Sequence, residues 1–189
     1  KVLVRVGSAK GGPGAGRGLP PTTLHDLFIR IGGPQVGKAA VSLEVNSDGA
    51  LLDNIWAWRA DHGNPGTVGW TVNTADTGLI VNGDDVTATG LFVEHYQKTE
   101  VIWNGEHGEV TFFQNELPYD PPSQAAWMSA PDHEGSPALL VSPGVKNFSG
   151  TGMGSYSFFN QGIDIFAANA FEVPITPGVR LHNLLTIFL

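Results

Sequence analysis

Apolar residues along this chain gather in short runs rich in β-branched and aromatic side chains, and Gly, Pro, Asn and Asp fill the gaps. After an opening Lys-Val-Leu-Val-Arg-Val, the runs fall at 24–31, 41–45, 51–58, 79–81, 86–93, 101–103, 110–114, 138–141, 155–159, 163–167 and 184–189. Runs of this kind, bounded by turn signals such as Asn46-Ser47-Asp48-Gly49, Asn82-Gly83-Asp84-Asp85 and Asn104-Gly105, predict strands. Every window long enough for a helix is interrupted by Gly, Pro or Asn, so the expectation is an all-β chain. Asn-Gly turns also suit hairpins, and hence a β-sandwich. Two features favour a different architecture. Apolar residues occupy consecutive positions, as in Leu91-Phe92-Val93, the habit of strands buried on both sides. Asp85-Val86-Thr87 also returns as Glu109-Val110-Thr111, 24 residues on, about double the interval of a hairpin meander. A repeat of that size predicts the coils of a parallel β-helix, each burying its apolar face against the next. The glycine-rich stretch 147–159 is expected to form one bent coil.

Two carboxylates close such runs. Glu94 lies in Val93-Glu94-His95 and Glu116 in Asn115-Glu116-Leu117-Pro118-Tyr119, 22 residues apart. On adjacent coils they would be neighbours, roughly 4.8 Å apart in the stacking direction. The prolines after Glu116 fix a loop that would hold Tyr119 near its carboxyl. Glu116 is therefore the expected general acid, its proton kept by Phe112, Phe113 and Trp127. Glu94 would tune its neighbour and orient a substrate hydroxyl. Taken singly, Glu116 reads as a solvated loop residue and Glu94 as an outward strand residue; only the pairing lifts the functional reading. Carboxyl pairs about 5–5.5 Å apart retain configuration in glycoside hydrolysis, and pairs roughly 6.5–9.5 Å apart invert it. Side chains splay, so the spacing along the chain leaves both open.

Composition narrows the partner. The net charge is −8, with only ten Lys and Arg, well scattered, which argues against nucleic acid and favours a neutral polymer or small molecule. There is no Cys, so neither disulfides nor thiolate chemistry enters. No apolar run approaches the about 18 residues of a membrane span. The six His show no ligand spacing, and neither a metal nor a cofactor is indicated. Residues 8–21 form a Gly/Pro-rich loop without the Gly-Lys-Ser/Thr of a phosphate-binding loop. Both ends are apolar, and the expectation is a single β-helix domain over 1–189, partnered by the remainder of a longer chain.

Other candidates are weaker. Asp76 and Asp84-Asp85 resemble the paired aspartates of pectin-type β-helix hydrolases, but Asn-Gly-Asp-Asp is also an ordinary turn. Asp61-His62, after Trp56-Ala57-Trp58-Arg59, reads equally well as a substrate-contacting pair and as a packed strand end. His107 reads as a turn residue. Most aromatics are expected in the core, while Tyr119, Trp127 and Tyr156 flank loops and could stack on sugar rings.

Four segments together resemble glycoside hydrolase family 55: Trp56-Ala57-Trp58-Arg59-Ala60-Asp61-His62, Gly90-Leu91-Phe92-Val93-Glu94-His95, Gln114-Asn115-Glu116-Leu117-Pro118-Tyr119 and Gly154-Ser155-Tyr156-Ser157-Phe158-Phe159. Their order and approximate spacing agree over residues 54–160. Asn115 and Ser155 depart from the family pattern, which commonly has Thr and Leu at those places. The resemblance implies a right-handed, single-stranded parallel β-helix of the pectin-lyase-like kind, the second of two in that family. It implies a secreted, inverting β-1,3-glucan hydrolase in which Glu116 is the acid and Glu94 its neighbour. Asp61, His62, His95, Gln114, Tyr119 and Tyr156 would then bind a neutral polysaccharide such as β-glucan. The alternative is a glycan-binding or structural module that keeps the scaffold without turnover.

Overall fold

Strands form where the apolar runs fall, and their pairing gives the chain its path. The computed structural model describes residues 1–9 and 20–189; most of the Gly/Pro-rich stretch 8–21 lies outside the described residues. The strands are β1 (Val2–Val6), β2 (Thr23–Ile31), β3 (Ala39–Val45), β4 (Leu51–Arg59), β5 (Ala75–Val81), β6 (Thr87–Glu94) and β7 (Val101–Trp103). Then come β8 (Gly108–Glu116), β9 (Met128–Ala130), β10 (His133–Glu134), β11 (Leu139–Val141), β12 (Asn147–Ser157), β13 (Phe171–Glu172) and β14 (Gly178–Phe188), with one 3-10 turn at Gln124–Ala126. Apart from the small antiparallel β9–β10 pair, they alternate between two six-stranded parallel sheets. The first runs β1-β3-β5-β7-β11-β13 and the second β2-β4-β6-β8-β12-β14. Each strand thus pairs with the one a full circuit away, as the all-β, parallel reading of the sequence expected.

Register stacks like on like inside. Leu43, Leu79, Val101 and Leu139 align across the first sheet, with Val45, Val81, Trp103 and Val141 beside them. Across the second sheet, Ile55, Leu91, Phe113 and Met153 align, and all of these side chains are buried. Removing one leucine from water contributes about 1.5–3 kcal/mol, so such columns supply the fold's main driving force.

The Asn-Gly turns, hairpin signals in other settings, here stack on one another. Asn82 Nδ2 donates to Asn46 Oδ1 and Asn104 Nδ2 to Asn82 Oδ1, both at 2.6 Å, and Ser142 Oγ donates to Asn104 Oδ1. A Cβ at Gly105 would lie 1.8 Å from the Gly83 carbonyl oxygen, so only glycine permits this approach.

A second ladder crosses the other sheet. Asp26, Asn54, Gly90, Phe112, Gly152 and Asn183 all have φ between 52° and 67°, and each falls at the position skipped in its strand's pairing. Left-handed residues kink extended backbone, so all six strands bend at one level and the sheet divides into two halves. Asn54 Nδ2 donates to Asp26 Oδ1 at 2.6 Å, joining two members of the column. Asp, Asn and Gly suit this conformation; Phe112 does not, at a cost on the order of 1 kcal/mol.

Two sequence expectations are corrected. The run 163–167 is not a strand: the Phe166 backbone is tied to the Gln124 side chain instead, N–H to Oε1 at 2.7 Å and Nε2 to carbonyl at 3.2 Å, and the paired strand is β13 further on. Trp127 does not flank a sugar-accessible loop; it is buried against Phe159, with ring centroids 5.5 Å apart.

Candidate functional site

Beyond the left-handed column, the second sheet turns two rows of side chains outward. One row aligns Phe28, Trp56, Phe92, Gln114, Gly154 and Leu185. The other aligns Arg30, Trp58, Glu94, Glu116, Tyr156 and Ile187. Glu94 and Glu116 are therefore direct cross-strand partners on β6 and β8, at the roughly 4.8 Å spacing of paired strands.

Their surroundings differ. Glu94 is buried and accepts a 2.8 Å hydrogen bond from Trp56 Nε1. Burial pushes its carboxyl up to about 7, and the like charges of Glu116 and Asp61 push the same way. Glu116 keeps 29% of its side chain exposed. Tyr119 donates its hydroxyl to Glu116 Oε2, and Gln114 Nε2 donates to Oε1 at 3.3 Å. The apolar pocket expected around Glu116 is thus replaced by polar donors: Phe113 turns into the core and Phe112 into solvent. Burial raises the Tyr119 hydroxyl above its ordinary range, followed by its hydrogen bond to Glu116, so the phenol stays a donor.

The loops that follow the strands complete the site. His95, left-handed at φ 66° and buried, presents Nδ1 to the Leu117 carbonyl at 3.1 Å, which makes Nδ1 the donor. Nε2 then faces Glu116 Oε2 at 3.6 Å and Asp61 Oδ1 at 3.7 Å. Burial holds this imidazole below its ordinary value, which favours the neutral ring. Asp61 also accepts from His62 Nδ1 at 2.9 Å, and His62 lies against Trp58. Tyr119 packs edge-on to His95 and to Phe158, with centroids 4.3 and 5.3 Å away. Asp61, His95, Glu94, Glu116, Gln114 and Tyr119 thus form one constellation, His62 stands at its exposed rim, and Tyr156 lies next in register to Glu116.

Beneath it lies a support absent from the sequence reading. Arg59 is buried and grips Asp120 with two 2.8 Å hydrogen bonds while donating to the carbonyls of Asn73, Gly69 and His95. Asn73 ties the same loop to the Ile31 and Ala60 carbonyls. Trp56, expected only to pack a strand end, proves to be a donor to Glu94. An Arg flanked by apolar residues at a strand end was the one available signal for the first; the second needed the register.

The remaining candidates lie elsewhere. Asp76 meets Lys98 at 3.3 Å, Asp85 meets His107 at 3.3 Å, and Asp84 accepts the Glu106 N–H in the stacked turns. Among the described residues, no group of three or more His, Asp or Glu is arranged to hold a metal ion.

With this geometry, the chain has close counterparts. An exo-β-1,3-glucanase of Streptomyces sp. (strain SirexAA-E / ActE) is 47% identical over all 189 residues, and the chain spans 30% of that relative's length. The solved structure of sacteLam55A from Streptomyces sp. SirexAA-E superposes on 96% of this chain with a TM-score of 0.89 and 48% identity, covering 32% of that protein. A glutamate-to-alanine variant of sacteLam55A in complex with glucose gives a TM-score of 0.90, at 47% identity and the same coverage. The family model of the LAM55 pectate lyase-like domain matches residues 1–116, and the chain accordingly belongs to that family, in line with the glycoside hydrolase family 55 resemblance of its motifs.

Proposed function

We propose that this chain carries the acid side of a β-1,3-glucan hydrolase site, acting by inversion with Glu116 as the general acid. The reading rests above all on one observation: Glu94 and Glu116 are register partners on an outward, aromatic-lined face. Burial of Glu94 favours its neutral form, and Glu116, the more exposed member, meets the glycosidic oxygen. Tyr119 and Gln114 hold Glu116 in place by donating to both its oxygens. A close pair by itself suits retention. Against Glu94 as a nucleophile stand its burial and its engagement with Trp56. Asp61, His62, His95 and Tyr156 line the sugar site in this reading. The relative's name supports the substrate class, and the glucose complex of a glutamate variant supports a glutamate at the sugar site. The alternation of paired strands between two sheets supports reading residues 1–189 as one right-handed, single-stranded parallel β-helix domain.

The test is release of reducing sugar from laminarin by the intact protein. Glu116→Gln is expected to lower kcat/KM by about 10²–10⁴; activity at the parent level would exclude Glu116 as the acid. The stacked Trp56 and Trp58 rings, 5.2 Å apart and partly open to solvent, also suit a glycan-binding module without turnover. In that case a laminarin affinity gel would retain the protein while no sugar was released.

A further inference from the structure

Phe112 is the anomaly of the left-handed column. Five of its six members are Asp, Asn or Gly, and the sixth is a bulky aromatic residue, 54% exposed, at φ 61°. Backbone strain of this kind persists where the surroundings impose it, and it clusters at ligand sites. Phe112 has such surroundings. Its ring stands edge-on to Phe92, 5.8 Å between centroids, and borders a groove of about 220 Å³ lined by Gln114, Gly152, Gly154, Tyr156 and Leu185, among others. Two of its lining residues adjoin the carboxylate pair: Gln114 donates to Glu116, and Tyr156 is the register partner of Glu116. Glycines keep it open. A Cβ at Gly152 would meet nothing within 4 Å, and the atoms nearest to one at Gly154 belong to Tyr156, at 3.4 Å and beyond. Apolar aromatic surface, a polar amide and a tyrosine edge together match a pyranose, which has an apolar face and a hydroxyl rim.

We propose that the groove bounded by Phe112, Gln114, Gly154 and Tyr156 is a further sugar subsite, in which Phe112 is the stacking platform for a glucosyl unit beyond the one at Glu116. The proposal rests on the β-glucan reading above. It explains why a left-handed position suited to Asn or Gly holds an aromatic ring instead. The subsite sets a preference for chain length, since only an oligosaccharide long enough to pass the carboxylate pair reaches it.

Calorimetry on the intact protein in a Glu116→Gln background, with glucose and with a β-1,3-linked glucotetraose as probes, tests this. Adding Phe112→Asn, whose side chain tolerates the left-handed backbone, is expected to weaken tetraose binding about tenfold and to leave glucose binding within about twofold. The melting temperature of Phe112→Asn is expected to match or exceed that of its parent, because strain is relieved. Tetraose affinity unchanged in Phe112→Asn would overturn the subsite while leaving the β-glucan reading standing, and a lowered melting temperature would overturn it by making the ring a structural need. Absence of any tetraose binding in the parent background would instead overturn the β-glucan reading itself, and the subsite with it.

Discussion

The two halves of the β2-β4-β6-β8-β12-β14 sheet share strands and register, yet carry opposite chemistry. Before the left-handed column, the outward rows read Thr23, Leu51, Thr87, Glu109, Ser149 and Arg180, then His25, Asp53, Thr89, Thr111, Thr151 and His182. After it they hold Phe28, Trp56, Phe92, Trp58, Glu94, Glu116 and Tyr156. The first half is a hydroxyl-rich, solvated face, while the second gathers rings around buried charge. Backbone architecture is common to both, so the candidate site is located by what stands at the outward positions and by the loops that close over one end.

The carboxylates show the contrast most sharply. Asp53, in the first half, accepts from Thr89 Oγ1 at 2.8 Å and contacts His25 Nδ1 at 3.1 Å, and these two bonds hold it below its ordinary value of 3.8. Glu94, in the second, is lifted to about 7 by burial. The largest expected difference is in turnover: Glu116→Gln should cost at least about a hundredfold in kcat/KM, whereas Asp53→Asn should change it by less than about twofold. Next comes the support under the second half. Asp120→Ala leaves the buried Arg59 charge without its partner and should destabilise the protein by about 3 kcal/mol in urea titration; a loss under about 1 kcal/mol would show that the loop carbonyls alone suffice.

The pH dependence of stability should run in opposite directions in the two halves. The folded-state value of Glu94 lies above its ordinary 4.5, so its contribution is full below pH 4.5 and is lost as pH rises through about 7. The lost contribution is about 3 kcal/mol. Denaturation of the parent and of Glu94→Gln across that window should therefore diverge, with the variant lacking this part of the slope; parallel curves would place the Glu94 carboxyl near its ordinary value. Asp53 contributes above pH 3.8 and loses its contribution as pH falls through its lowered value, a change that Asp53→Asn should remove. The smallest effect is expected for Thr89→Val on the solvated face, within about 0.5 kcal/mol by thermal denaturation.

Much of this was legible in the sequence because short apolar runs and turn residues encode strands locally. The pairing of Glu94 with Glu116 was also readable, since their circuit of 22 residues, the offset of the Asn115–Val93 hydrogen bond, is the shortest of those the ladder bonds span. The left-handed column was not. Its members fall at positions 26, 54, 90, 112, 152 and 183, at unequal intervals, so no period marks them, and Phe112 lacks the usual signature of that conformation. The raised carboxyl of Glu94 comes from its burial and stands against the hydrogen bond from Trp56, one circuit away and two positions off in register, and both relations exist only after folding. The run at 163–167 misled because apolar composition does not reveal that Gln124 captures its backbone.

Those unequal circuits bear on how such a protein diversifies. Stacked Asn turns and the left-handed column fix where every strand begins and bends, whatever length of chain joins one circuit to the next. Insertions can accumulate in the connections, as in the 40-residue circuit that follows β8, without moving Glu94 or Glu116 out of step. The column acts as a ruler that inheritance can read past, and the walls around the carboxylates are free to be rebuilt while the pair itself stays in register.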